Sequence, residues 1–156
     1  MNTDTSKTSL KSNLGNGRKW VVKFLTRLNV VLYRLSGGRV LNKMEGCPVC
    51  LVTMTGHKSG KRKTIALMYT AHADEVLLVA SLGGAPRHPA WYHNLVANPE
   101  IVVQLGPQRN AMRARLASHE ERERLWPLVV RSYRSFADYQ LKTQREIPIF
   151  ICSPTS

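Results

Sequence analysis

Long apolar runs are missing from this chain of 156 residues. None approaches the ~20 residues that a membrane-spanning helix needs. The first residues show no continuous apolar core followed by a small-residue cleavage site, so a secretory signal is not expected and a cytoplasmic protein is. Acidic residues are scarce, 10 Asp and Glu against 23 Lys and Arg. No paired catalytic carboxylates, nucleophile–base–acid triad or metal-ligand cluster stands out. Cysteine is limited to three residues. Cys47-Pro-Val-Cys50 is formally a C-x-x-C, but it lies in a strand-like stretch with Pro48, Val49, Leu51 and Val52. Residues three apart on a strand point to opposite faces, which suits neither a shared metal nor a bridge. No second C-x-x-C completes a zinc site, and Cys152 is remote, so buried structural thiols are expected.

What is present is positive charge, unevenly placed. The net charge is +13, and residues 1–43 hold nine Lys or Arg against Asp4 alone. Such asymmetry implies solubility or an anionic partner, either a membrane surface or a nucleic acid. Residues 1–17, rich in Ser, Thr, Asn, Gly and Lys, read as a mobile tail. Over residues 18–36, Trp20, Val21, Phe24, Leu25, Leu28, Val31, Leu32 and Leu35 recur at helical spacing within an arc of about 140°. Lys19, Lys23, Arg27 and Arg34 fill a neighbouring stripe, and Gly37-Gly38 stops the helix. This basic amphipathic helix either packs its apolar stripe on the core or docks on an anionic membrane with Trp20 and Phe24 as anchors.

Residues 37–156 read as the folded domain. Strands are expected over 47–54, 63–70, 75–81 and 147–152, with a hairpin of 100–105 and 109–117 around Gly106-Pro107. His88-Pro89 opens a short helix to about Val96, with Pro in the first helical turn, and Asn98-Pro99 ends it. Ser118-His119-Glu120-Glu121 is a capping box for a helix whose apolar face carries Leu125, Trp126, Val129 and Val130. A further turn or helix spans Phe136 to Leu141. Short strands with small helices between them indicate an α+β protein built on an antiparallel barrel or sheet.

Two segments can carry chemistry. In Gly56-His57-Lys58-Ser59-Gly60-Lys61-Arg62-Lys63, glycines flank a tight basic turn whose N–H groups and cations suit phosphate or carboxylate. It lacks the spacing of a Walker A loop; the alternative is an exposed basic hairpin tip. The second runs from Ala80 to Asn94: a buried strand ending in Ser81, a Gly-rich loop, and a helix start whose free N–H groups favour an anion. Its glycines let a flat ring lie against backbone.

The ordered set T-G-H-K-S-G, Ser81-Leu82-Gly83-Gly84 and His88-Pro89-Ala90-Trp91-Tyr92-His93-Asn94-Leu95 resembles the signature of the deazaflavin-dependent nitroreductases. Glu121-Arg122, Trp126-Pro127, Tyr133, Phe136 to Gln140 and Glu146-Ile147-Pro148-Ile149 continue it, so that it covers roughly residues 28–153. The resemblance implies a split β-barrel and coenzyme F420 as reductant. It implies that His57, Lys58, Ser59 and Lys63 meet the cofactor's phosphate and polyglutamate tail. The deazaflavin ring is expected near Leu67, Met68, Val79, Ala80 and Ser81, with Ala90, Trp91 and Asn94 closing the other side. Tyr133, Phe136 and Tyr139 fall where the family places aromatic residues over the substrate. Three departures stand out: His57 where Arg is usual, Leu82 where Lys is common, and Met68 where some members carry Tyr. Two lost cations imply weaker or retuned tail binding, and the Met alters the substrate wall.

A deazaflavin delivers hydride from its own ring, so no catalytic acid–base pair is needed. Ser81 is expected to hydrogen-bond the ring or the substrate oxyanion, and Tyr133, Tyr139 or solvent to donate the accompanying proton. The expected substrates are nitroaromatics, quinones or similar acceptors. Split-barrel proteins often dimerise, so a homodimer is in view. Two rivals are an FMN-dependent split-barrel enzyme, whose phosphate fits the same turn, and a non-catalytic nucleic-acid-binding module. The second is disfavoured because the exposed aromatic-plus-basic strand pattern of single-strand binders and a recognition helix are missing.

Overall fold

The computed structural model describes residues 27–155. The tail expected over 1–17, and the first part of the basic helix with Trp20 and Phe24, lie outside the described residues. Helix α1 is described over residues 27–35. Strands β1 (Lys43–Met44), β2 (Cys47–Thr55), β3 (Arg62–Met68), β4 (Thr70–His72) and β5 (Glu75–Val79) follow. Then come α2 (Ala90–Ala97), β6 (Glu100–Leu105), β7 (Gln108–Leu116), α3 (His119–Ser132), α4 (Ser135–Leu141) and β8 (Ile149–Pro154).

Every strand pairing is antiparallel, along the path β3-β2-β6-β7-β8-β5-β4, with short β1 on the start of β2. The first and last strands of that path, β3 and β4, are consecutive in the chain and separated only by Tyr69. The sheet therefore curls until covalent continuity joins its two ends, which gives the split barrel that the resemblance implies. A curled sheet has an inside and an outside, and the alternation of side chains sorts them. Cys50, Val52 and Met54 of β2, with Val76 and Leu78 of β5, meet Phe150 and Cys152 in one buried cluster. Leu77, Ile149 and Ile151 point the other way, into a cluster covered by Leu125 and Val129 of α3 and Phe136 of α4. Cys47 belongs to this second cluster and Cys50 to the first. The two thiols thus occupy opposite faces, and all three cysteines are free and buried.

Ser118 caps α3 by accepting from the Glu121 N–H while the Glu121 carboxylate accepts from the Ser118 N–H. The capping box is as expected. The expected apolar face holds as well: Leu125 and Val129 are buried, Trp126 and Val130 pack half-buried against the same cluster, and Arg122 is buried beside them. Pro89 is the extended N-cap of α2 rather than a residue of its first turn.

Helix α1 corrects the sequence reading more deeply. Its buried residues are Val30 and Tyr33, packed on Leu51 and Ala66, whereas Leu28, Val31, Leu32 and Leu35 are exposed. At ~100° per residue, Val30 and Tyr33 lie about opposite the centre of the expected apolar stripe. The docked face is set by one side chain: the Tyr33 hydroxyl donates to the Val49 carbonyl (3.1 Å) and accepts from the Gly106 N–H (2.9 Å). Arg34 adds a hydrogen bond to Thr64 (3.0 Å). Among the described residues, no helix is long and apolar enough to cross a membrane.

Candidate active site

At one end of the barrel, β3, the end of β5, the start of α2 and α4 leave a cavity of about 470 Å³. Lys63, Ile65 and Leu67 enter it from alternate positions on one face of β3, and Met68 joins them at the end of the strand. Met54, Met68 and Val79 complete the bed; Ser81 and Leu82 form one rim, Ala90, Trp91 and Asn94 the other, and Phe136 reaches in from α4. The wall is apolar except for Lys63, Ser81 and Asn94, a composition that fits a flat heteroaromatic ring with a few polar edge contacts.

The basic turn joins β2 to β3 beside this cavity. It is closed by Gly56 N–H donating to Lys61 O and Gly60 N–H donating to Gly56 O, both at 2.9 Å. Its tip leaves His57, Lys58, Ser59, Lys61, Arg62 and Lys63 exposed. Asn94 ties it to α2. The Asn94 Oδ1 accepts from the backbone N–H of His57 at 3.0 Å and lies 2.7 Å from His57 Nδ1. An amide carbonyl oxygen bears no hydrogen and only accepts, so Nδ1 of His57 carries the hydrogen and Nε2 is bare. Nδ2 of Asn94 turns inward to the Met54 sulfur at 3.5 Å.

The segment after β5 is contorted. Leu82 (φ 45°), Gly83 (63°) and Gly84 (81°) are consecutive left-handed residues. A Cβ on Gly84 would stand 2.5 Å from the Tyr139 carbonyl oxygen, so glycine there lets the loop lie on α4. α2 begins with no side-chain cap, which leaves its first N–H groups pointing at the rim that Ala90 and Trp91 form.

The cavity brings together Lys63, Leu67, Met68, Val79, Ser81, Leu82, Ala90, Trp91, Asn94 and Phe136 of the expected set. His57 reaches it through Asn94, and Lys58 and Ser59 stand at the exposed tip. Ala80 does not line it: its side chain is fully buried in the barrel cluster, and its N–H donates to Pro148 O. Tyr133 and Tyr139 also stand off the wall, packed with Met68, Val79 and Phe136. The Tyr133 hydroxyl donates to the Glu45 carboxylate and lies 3.3 Å from that of Tyr139. That carboxylate, with Tyr139, raises the Tyr133 phenol to about 12. Met54, Ile65 and Pro89 were missed. Ile65 was open to discovery, since it lies between Lys63 and Leu67 on the same face of a strand; Met54 and Pro89 carry no such signal.

A curled antiparallel sheet of this order, with an apolar cavity along β3, is a split barrel that can hold a flat ring cofactor. Residues 25–154 match the family model described as F420H(2)-dependent quinone reductase. The chain belongs to that family, and is an F420-dependent oxidoreductase whose cofactor is coenzyme F420. It is 37% identical over 131 residues to an F420H(2)-dependent quinone reductase of Mycobacterium tuberculosis, spanning 81% of this chain and 88% of the relative. A solved F420-H2 dependent reductase is 45% identical, covers 68% of this chain and 94% of its own, and superposes with a TM-score of 0.64. A second structure, described as a domain-swapped dimer, is 38% identical over 88% of this chain and 99% of its own, with a TM-score of 0.67.

Proposed function

We propose that this chain transfers hydride from F420H2 to quinones at the β3–β5–α2 cavity. The observation that carries the reading is the cavity itself, an apolar slot with an exposed basic turn at one side and an uncapped helix start at the other. Bound F420H2 supplies the hydride; the chain supplies orientation and electrostatics. Ile65, Leu67 and Val79 form the bed for the ring, and Trp91 and Phe136 keep water from it. Lys63 and Lys58, with the Ser59 hydroxyl, hold the anionic tail. The Ser81 hydroxyl is the side-chain donor on the wall closest in chemistry to an oxyanion contact. Titration with F420 and separately with FMN, followed by fluorescence, tests the cofactor; micromolar or tighter binding of F420 with little for FMN is expected. Ser81→Ala should lower kcat about 10- to 100-fold with little change in F420 affinity. Equal loss in both would remove that role from Ser81.

The acceptor range extends in this proposal to nitroaromatics, because the apolar wall around Met68 and Phe136 selects by shape more than by hydrogen bonding. The same family sits on quinones in its description, and quinones dissolve in lipid. The exposed Leu28, Val31, Leu32 and Leu35 on α1, with Arg27 and Arg34 beside them, support a peripheral contact with the anionic inner face of the cell membrane by a cytoplasmic protein. Sedimentation with anionic and neutral liposomes tests it: equal binding to both, or none, removes the contact. A homodimer is proposed on the domain-swapped relative, and light scattering gives its mass directly.

A further inference from the structure

The segment from Ala80 to His88 carries the wall residues Ser81 and Leu82, yet its regular structure is a single 3-10 turn over Leu82–Gly84. Three left-handed residues in a row, one of them leucine, persist only where the surroundings over-determine them. Arg145, about sixty residues further along, surrounds this segment from one side. Its Nε donates to Ala85 O at 2.8 Å, and its Nη2 to Ala80 O at 3.2 Å and Ser81 O at 2.8 Å. Its Nη1 lies 3.2 Å from Nδ1 of His88. A guanidinium only donates, so Nδ1 of His88 is the bare acceptor and the imidazole hydrogen sits on Nε2. Among the described residues Arg145 enters no ion pair. Its hydrogen-bond partners are the loop carbonyls and the imidazole.

We infer that Arg145 is a positioning residue of the hydride-transfer site, clamping the 80–88 segment against the cavity, and that His88 is the contact through which acid opens the clamp. The inference rests on the reading of the cavity as the F420 site. Four of five guanidinium hydrogens are spent on one contorted segment, two of them on the carbonyls of Ala80 and Ser81. Ser81 cannot change its backbone without breaking the clamp. A lysine would keep the charge but lacks the planar fork that reaches Ala85 and Ser81 together.

His88 makes the clamp sensitive to protons because of what surrounds it. Arg145 faces it from the segment after α4; Tyr92 of α2 stacks on it at 3.9 Å, and the His93 ring lies 6.2 Å away. His57 of the basic turn is next in line, 5.7 Å from His93. Burial first, then the Arg145 and His93 charges, push the His88 pKa below its ordinary value of 6.5. The sign follows. At neutral pH His88 is neutral, Nδ1 accepts, and the clamp is closed. Below the lowered pKa a hydrogen on Nδ1 meets the hydrogens of Nη1, cation faces cation, and the clamp loosens.

Hydrogen exchange on the cofactor-free protein, with steady-state kinetics beside it, tests the clamp. In Arg145→Lys the amides of 81–88 should exchange about tenfold faster while strands β2 and β7 are unchanged, and kcat should fall about 10- to 100-fold with KM within about threefold. Arg145→Met should do the same. Recovery by lysine to within about twofold of the wild type in both readouts would show that charge alone matters and overturn the clamp. In the wild-type protein, the protection of the 81–88 amides relative to their intrinsic exchange rates should fall between pH 7 and pH 5 more than protection elsewhere in the chain. His88→Asn keeps an acceptor for Arg145 but cannot titrate, and should abolish that acid loss of protection. Its persistence in the variant would overturn the role of His88, even if both Arg145 variants failed to fold. Should the exchange results hold while the protein binds no F420, the clamp stands and the reading of the cavity falls.

Discussion

Asn94 is the residue on which the two halves of the candidate site meet. Its Oδ1 takes both the backbone N–H and the ring N–H of His57, and its Nδ2 is turned into the barrel. Asn94→Ala frees two donors at an exposed turn, where water replaces the lost partner, so the stability cost should be about 1 kcal/mol. The basic turn, no longer fixed to α2, should hold the anionic tail less well, and F420 affinity should fall about tenfold by fluorescence titration. An unchanged affinity would mean that the turn finds its place without α2. Leu82 offers the opposite test. Its φ of 45° is unfavourable for any residue with a Cβ, and it is exposed. Leu82→Gly should therefore leave the thermal midpoint equal or raise it, because relief of about 1 kcal/mol of strain offsets the entropy of glycine. Lys63, Leu67 and Met68 of β3 and Asn94 of α2 were legible through the family resemblance, whereas Ile65, which strand alternation places on the face of Lys63 and Leu67, was missed. Arg145 was not legible: its partners are backbone carbonyls far away in sequence, and a carbonyl leaves no trace in residue identity.

At the scale of elements, the capping box at α3 was readable to the residue because it is a local contact among four consecutive positions. The Arg115 guanidinium, which makes two hydrogen bonds to Glu121 at 2.8 Å, and the Ser118 N–H hold the Glu121 carboxyl at about 2. A carboxyl lowered on folding stabilises above its unfolded value of about 4.3 and loses that contribution as pH falls towards 2. Glu121→Gln should lower stability at pH 7 by about 1 kcal/mol, and the wild-type and variant denaturation midpoints should converge between pH 4 and pH 2. A constant gap over that range would contradict the linkage. Of the two readings of helix α1, the one that packed the apolar stripe on the core fails for the converse reason. The face that docks is chosen by long-range hydrogen bonds of the Tyr33 hydroxyl to Val49 and Gly106. The close approach of Gly38 to Gly106, where a Cβ would come within 2.4 Å of the Gly106 Cα, fixes the same choice. Periodicity reports that a helix is amphipathic; it does not report which face finds a partner.

The whole molecule joins a sheet whose two ends are consecutive strands to a helix that exposes its apolar stripe. The barrel was legible as a class, from short alternating strands, while its closure through Tyr69 depends on the order of pairing, which no local pattern encodes. The exposed stripe and the charge then belong to one surface argument. Of the +13 net charge, +8 falls on residues 1–43, and α1 lies within them. Near an anionic bilayer each Lys or Arg is worth about 1 kcal/mol, lost over a Debye length of about 10 Å at 0.1 M salt. Burial of the stripe adds an apolar contribution that salt does not screen. The two can be separated. Raising salt from 0.05 to 0.5 M should weaken partition onto anionic vesicles about tenfold or more. Val31→Glu with Leu35→Glu should weaken partition at both salt concentrations, because it removes apolar area as well as adding negative charge. Neither side chain approaches the cavity, so reduction of a water-soluble quinone should proceed at the wild-type rate in the double variant. If partition of the double variant matches the wild type, α1 does not touch the membrane, and its exposed stripe belongs to contact with protein.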